Sequence, residues 1–225
     1  MIDRLKDELA LRSVRGIVTD RRVQACLDYG AGNGRFAYAL VRALPDARVV
    51  AVDFTDLPPD SKRSYFGRGM EYMSYRSLEA SSSHFDLIFC RHVLEHTHDP
   101  RSFVASLVRR LAPAGLLDIE VPNFDSALAK LAGRYNPGYY VPRHLLHFTH
   151  KSLRMAAGFG TEVRLSPASM PLMGNLLADI SGHRRSELPF QLAGVPLYAL
   201  QVAADTLLQT STCLSMQITK PGLPA

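Results

Sequence analysis

Cysteine is scarce and scattered: Cys26, Cys90 and Cys213 are the three in 225 residues, and no two stand in a CxxC pair. That excludes a cysteine-built zinc centre, and the apolar neighbours of each predict a reduced core thiol in a cytoplasmic protein. There is also no run of one charge. The formal net charge is +5, but Arg21, Arg22, Arg109, Arg110, Arg184 and Arg185 stand in separate pairs without interleaved aromatics, a pattern that favours solubility or an anionic small substrate slightly more than nucleic acid. No long apolar run goes uninterrupted, since residues 192–208 contain Pro196, Gln201 and Asp205, so a membrane span is not predicted. The N-terminal MIDRLKDELALRSVRG mixes acids and bases around no apolar centre, which excludes a secretory signal. Repeats and low-complexity tracts are lacking too. A chain of this length with 47% hydrophobic residues is expected to form one globular domain over 1–225.

What is present alternates between strand and helix patterns. Ile2, Leu5, Leu9 and Val14 recur at helical spacing, predicting an N-terminal amphipathic helix within 1–20 that Gly16 and Asp20 end. A strand at 25–28, a helix at 35–44 closed by Pro45, and an apolar strand at 49–52 then make a βαβ unit, which implies parallel strands and a right-handed crossover. Residues 55–69 are rich in Pro, Asp, Ser and Gly and predict a loop before a short strand at 71–75. Strands follow at 85–90 and 116–121, with a helix at 101–111 and a Pro113–Gly115 turn between them. Two last strands, 162–165 and 213–218, flank a long helical insertion at 169–212. The fold class is therefore α/β: a Rossmann-like, seven-stranded, mostly parallel sheet with helices on both faces, its last strand antiparallel. Residues 21–168 form its ligand-binding core, and 213–220 its last strand.

The densest signal is CLDYGAGNG, residues 26–34. Gly30, Gly32 and Gly34 at alternate positions permit left-handed backbone and leave peptide groups open to a ligand where a helix begins. Asp53 ends the second strand about 20 residues on, where α/β folds place an acid for ribose hydroxyls. The spacing is GxGxG, however, and Asp28 stands two positions before the first glycine. A carboxylate there repels a pyrophosphate and attracts an ammonium group. The expected ligand is a nucleoside carrying a cation.

These features resemble the class I methyltransferases that use S-adenosylmethionine, specifically a bacterial small-molecule group similar to the quinone-biosynthesis O-methyltransferases. The resemblance runs from Cys26 to Phe159 through LDYGAGNG, VVAVDF, FDLIFCRHVLEHTHDP, LLDIEVPN and PRHLLHFTHKSLRMAAGFG, in that order. It implies S-adenosylmethionine as cofactor, with Gly30, Gly32 and Gly34 cradling its methionine part. Asp28 then holds the amino end, Asp53 binds the ribose, Phe54 lies beside the adenine, and Tyr29, Ala31, Cys90 and Arg91 complete the set. Tyr75, Arg76 and Ser77 stand where the family often places an acidic or small polar residue for the adenine amino group.

Methyl transfer from a sulfonium needs alignment first, and a general base only when the acceptor is a hydroxyl. Histidine suits that task. His92, Glu95, His96 and His98 follow the fourth strand, and Arg143, His144, His147 and His150 form a second cluster. His96 and His144 are the candidate catalytic residues, with loop-pinning histidines as the alternative; His98 and His150 are expected to face solvent. His92, Glu95 and His96 mix imidazole with carboxylate, but hard cations prefer oxygen ligands, and no metal is assigned. No NPPY-like segment follows the fourth strand, which sets nucleobase methylation aside. The acceptor is expected to be a small-molecule hydroxyl, on a sugar, a lipid-linked intermediate or a secondary metabolite. Rival expectations are a catalytically inactive binding or sensor protein and an RNA methyltransferase. In the insertion, Met170, Met173, Leu176, Leu177 and Ile180 suit core packing, cover for a hydrophobic substrate, or, with Arg184 and Arg185, peripheral membrane contact through 185–208.

Overall fold

The computed structural model describes residues 2–18, 21–58, 65–136, 138–157, 162–166 and 188–222. In chain order the elements are α1 (Ile2–Val18), β1 (Ala25–Tyr29), α2 (Arg35–Ala43), β2 (Arg48–Asp53), β3 (Glu71–Ser74), α3 (Tyr75–Ala80) and β4 (Phe85–Arg91). A 3-10 turn at Leu94–His96, α4 (Pro100–Arg109), β5 (Leu111–Pro122), α5 (Ala127–Ala132) and a second 3-10 turn at Gly133–Tyr135 come next. The chain closes with α6 (His150–Ala157), β6 (Glu162–Ser166), α7 (Leu188–Leu207) and β7 (Cys213–Thr219). Residues 169–187 of the insertion, including Met170, Met173, Leu176, Leu177, Ile180, Arg184 and Arg185, lie outside the described residues.

The seven strands hydrogen-bond in the order β3-β2-β1-β4-β5-β7-β6. Pairings β1–β2, β1–β4 and β2–β3 are parallel, and β6–β7 is antiparallel, as expected. Strands β2 and β4 are buried along almost their whole length. That burial is why VVAV and LIFC are continuous apolar runs rather than alternating ones.

The chain divides into two compact units, Met1–Val93 with Ala105–Asp118 and Ile218–Ala225, and Leu94–Val104 with Ile119–Gln217. In the first, Leu11 and Val14 of α1 join a core with Ala37, Leu40, Val49 and Phe89. Helix α1 is held to α2 by charge as well: Arg35 pairs with Asp7 at 3.2 Å and Arg42 with Glu8 at 3.1 Å. The helix passes through Gly16 instead of ending there, because Ile17 and Val18 still pack on that core. The entry to β1 is fixed by Asp86, whose Oδ2 accepts from the N–H groups of Gln24 and Ala25. The turn expected at Pro113–Gly115 falls inside β5, where Ala114 adopts φ 61.

Helix α6 and two shorter helices have no counterpart in the sequence expectations. Ser74 starts α3, its side chain accepting from the Ser77 N–H, and Ser126 starts α5 in the same way through Ala129. Each has six residues, too few to show a helical period. In the second unit, Asn123 anchors the exit of β5: its side-chain amide donates to the Ser211 carbonyl and its N–H to that of Thr212.

Candidate functional site

In the first unit the glycine turn leaves β1 and is pinned at once. The N–H groups of Gly30 and Ala31 both donate to the Val52 carbonyl, and Gly32 donates to Asp53 Oδ2 at 2.6 Å. Asp53 Oδ1 accepts from Phe54 N–H, so this carboxylate shapes the turn, with lone pairs left for ribose hydroxyls. The three glycines have φ of 82, 57 and 80° and differ in what surrounds them. A Cβ on Gly30 would meet Val93 Cγ2 at 2.3 Å, and one on Gly34 would press on the Phe66 ring at 3.1 Å. Gly32 has nothing within 4 Å, so its backbone faces open space.

Asp28 is 3% exposed. One side of its carboxyl accepts from the Ala37 N–H, while Oδ2 is buried without a hydrogen-bond partner. Burial is the main reason its pKa rises to about 7; the Arg91 guanidinium acts in the opposite direction. An unpartnered buried carboxylate oxygen beside an open backbone fits an ammonium group, as borne by an amino-acid nucleoside.

The rest of the expected cofactor set lies around this turn. Tyr29 stacks on Tyr75, with ring centroids 4.7 Å apart, and burial raises both phenol pKa values, that of Tyr29 to about 12. Phe54 is 77% exposed, leaving a ring face for a base to stack on. The Cys90 side chain is fully buried at the end of β4, so only its backbone is positioned to serve a ligand. Arg91 braces the unit: it lies 4.2 Å over the Phe36 ring, donates to Ser13 Oγ and pairs with Asp118 at 3.6 Å. A cavity of about 350 Å³, lined by Glu79, Ser82, His84, Ser106 and Arg109, shares Tyr29 and Tyr75 with the residues singled out in the sequence.

The second unit assembles the histidines. Leu145 and Leu146 both donate to the Glu95 carbonyl, tying the segment around His144 to the 3-10 turn that carries Glu95 and His96. His144 Nδ1 lies 2.6 Å from the Gly138 carbonyl, and His96 Nδ1 lies 2.7 Å from that of Arg143. A carbonyl only accepts, so in each neutral ring Nδ1 carries the proton and Nε2 keeps its lone pair. The rings stand edge to face at 4.8 Å. Glu95 is 1% exposed, with Oε1 3.8 Å from His144 Nε2.

Burial is the largest influence on His144 and lowers its pKa, keeping it neutral; the Gly138 bond and Glu95 act the other way. A neutral imidazole with a carboxylate this near has the chemistry to accept a proton. Glu95, His96 and His144 also offer donor atoms within 4.8 Å of one another, a set with metal-ligand chemistry as well. Sequence reasoning did not enlist Glu95 as a partner of His144, because their approach depends on the backbone ties. His98 is exposed as expected, whereas His150 is half-buried at the start of α6.

A family described as a methyltransferase domain matches residues 2–163. Among curated proteins, the chain is 31% identical over 118 residues to trans-aconitate 2-methyltransferase of Azoarcus sp., covering 52% of this chain and 46% of that one. It is 31% identical over 101 residues to ubiquinone biosynthesis O-methyltransferase of Actinobacillus pleuropneumoniae, covering 40% and 42%. The matches thus span less than half the length of these relatives. Among solved structures, the plantazolicin methyltransferase BamL, in complex with a triazolic desmethylPZN analog and SAH, superposes with a TM-score of 0.60 at 14% identity, covering 97% of this chain and 84% of that one. Among the described residues no helix is long and apolar enough to cross a membrane. The chain belongs to the methyltransferase-domain family, whose methyl donor is S-adenosylmethionine.

Proposed function

We propose that this protein transfers the methyl group of S-adenosylmethionine to a hydroxyl oxygen of a small molecule, on a sugar, a lipid-linked intermediate or a secondary metabolite. The observation that carries the reading is the donor cradle: the buried, unpartnered Asp28 Oδ2 next to a glycine turn whose middle residue faces open space. Asp28 holds the ammonium end of the cofactor. The backbone of Gly30, Ala31, Gly32 and Gly34, with Tyr29, lies along its methionine part. Asp53 receives the ribose hydroxyls, Phe54 covers the adenine, and the strand end at Cys90 and Arg91 closes the cradle. The bound cofactor supplies an electrophilic methyl group on a sulfonium with a good leaving group. The chain's own contribution is alignment and removal of one proton.

His144 Nε2 takes the acceptor proton. Glu95 raises the affinity of that imidazole for it, and the Gly138 carbonyl keeps the ring turned. His96, fixed through the Arg143 carbonyl, orients the acceptor or shares the proton. A relative named as an O-methyltransferase supports oxygen as the acceptor atom. Two imidazoles and one carboxylate suit proton transfer better than a hard cation, so no metal is assigned to the step.

The test is transfer of labelled methyl from S-adenosylmethionine into a small-molecule extract, with formation of S-adenosylhomocysteine. His144→Asn should lower turnover by about 10²–10³ while leaving S-adenosylhomocysteine affinity unchanged. Cofactor binding without turnover on any acceptor would favour the binding or sensor alternative, and label appearing in RNA would favour the RNA alternative.

A further inference from the structure

Resting on the donor reading above for one of its readouts, we propose that the cavity beside α3 is an effector site for a phosphorylated sugar, whose occupant is felt at the glycine turn. The cavity lies wholly in the first unit, between α3, the loop 81–84 and the last turn of α4, and of its lining only Tyr29 enters the methyl-transfer reading. Its volume of about 350 Å³ is that of a small-molecule site. Hydroxyls dominate the wall: Ser81, Ser82, Ser83 and Ser106 stand around it with Arg109 and Arg110, and Glu79 is the one acid of the lining. Two guanidinium groups against one carboxylate select an anion. The serines and the tyrosine pair suit a sugar better than an acyl chain.

These groups are fixed by the chain itself. Ser81 N–H and Oγ both donate to the Leu78 carbonyl, and Ser83 N–H donates to Ser81 Oγ, so the loop SSSH is folded on itself. Arg110 Nη1 donates to the Ser81 carbonyl at 3.2 Å, and the Arg110 carbonyl accepts from Phe85 N–H, which holds a half-buried guanidinium at the cavity wall. Its other N–H groups suit phosphate oxygens. His84 Nδ1 lies 2.9 Å from the Ser82 carbonyl, so in the neutral ring Nε2 keeps a lone pair for a sugar hydroxyl. Tyr75 joins this cavity to the donor turn: its ring stacks on Tyr29, and its hydroxyl stands 3.7 Å from where a Cβ on Gly30 would lie. A ligand packed on that pair bears on the turn that cradles the donor, and the coupling is reciprocal.

Calorimetry on the full chain tests this, with glucose 6-phosphate, glucose and inorganic phosphate as probes. The ester should bind at least about tenfold more tightly than either fragment. Its presence should shift S-adenosylhomocysteine affinity by about fivefold. Arg110→Gln should abolish the preference and the shift, and Arg109→Gln, at an exposed position, should weaken both. Arg134→Gln, at an exposed position in the second unit, should change neither. Circular dichroism confirms that each variant folds, and if Arg110→Gln does not, Arg109→Gln carries the test. Equal binding of the three probes, binding of none, or a preference that survives both cavity substitutions would overturn the site. An unchanged S-adenosylhomocysteine affinity would overturn its effector role. Failure of S-adenosylhomocysteine to bind in the absence of any probe sinks the donor reading instead, and leaves the direct titration of the cavity to stand or fall by itself.

Discussion

A single methyl group separates the roles of Gly30 and Gly32. Both have positive φ, so alanine at either position carries a backbone cost of roughly 1–2 kcal/mol. At Gly30 the added Cβ also collides with Val93, and Gly30→Ala should lower the unfolding midpoint well beyond Gly32→Ala. At Gly32 the Cβ enters open space, so Gly32→Ala should stay folded and instead weaken S-adenosylhomocysteine binding in calorimetry. Asp28 makes a second residue-scale prediction. Its carboxyl titrates near 7 in the fold against an ordinary 3.8, so between those values the folded chain holds a proton the unfolded chain has released. Stability from this group therefore falls as pH rises through that window. Asp28→Asn removes the titration, and thermal melts should show its advantage over the parent widening from about pH 4 to about pH 7. The same variant should bind the cofactor at least about tenfold more weakly, having lost the partner of the ammonium group.

Elements differ in how they are held, and so in what breaks them. Helix α3 begins directly at the end of β3 because Ser74 caps it, and Ser74→Ala should cost about 1 kcal/mol in denaturant unfolding. Helix α1 is attached by burial, and Leu11→Ala should cost about 2–5 kcal/mol. A cap loss matching the core loss would contradict this division. The longer elements were legible in the sequence, since βαβ alternation and apolar runs such as VVAV state their own period. The six-residue helices were not, because a serine and one turn of chain carry no periodic signal. Gly16 misled for a related reason: a glycine in a helix costs only about 1 kcal/mol, and the contacts of Ile17 and Val18 offset it.

Across the whole molecule the three thiols behave alike. Cys26, Cys90 and Cys213 are all buried and unbridged, and burial pushes Cys26 up to about 12. The native chain should be inert to an aromatic disulfide reagent at neutral pH and should release three equivalents of chromophore once unfolded. Fast labelling of the native protein would show that this burial is wrong. The residue types of the proposed donor side were legible in the sequence, because they are local in pattern: an acid, alternate glycines and a second acid one βα unit later; the burial of Asp28 and the bond from Gly32 to Asp53 came from the fold. Residue type also gave the charge logic at Asp28. The proposed acceptor side was legible only in the tertiary structure. His96 and Arg143 are 47 positions apart, and the carbonyls that set both histidine tautomers and the burial of Glu95 arise from chain crossings that no local pattern records.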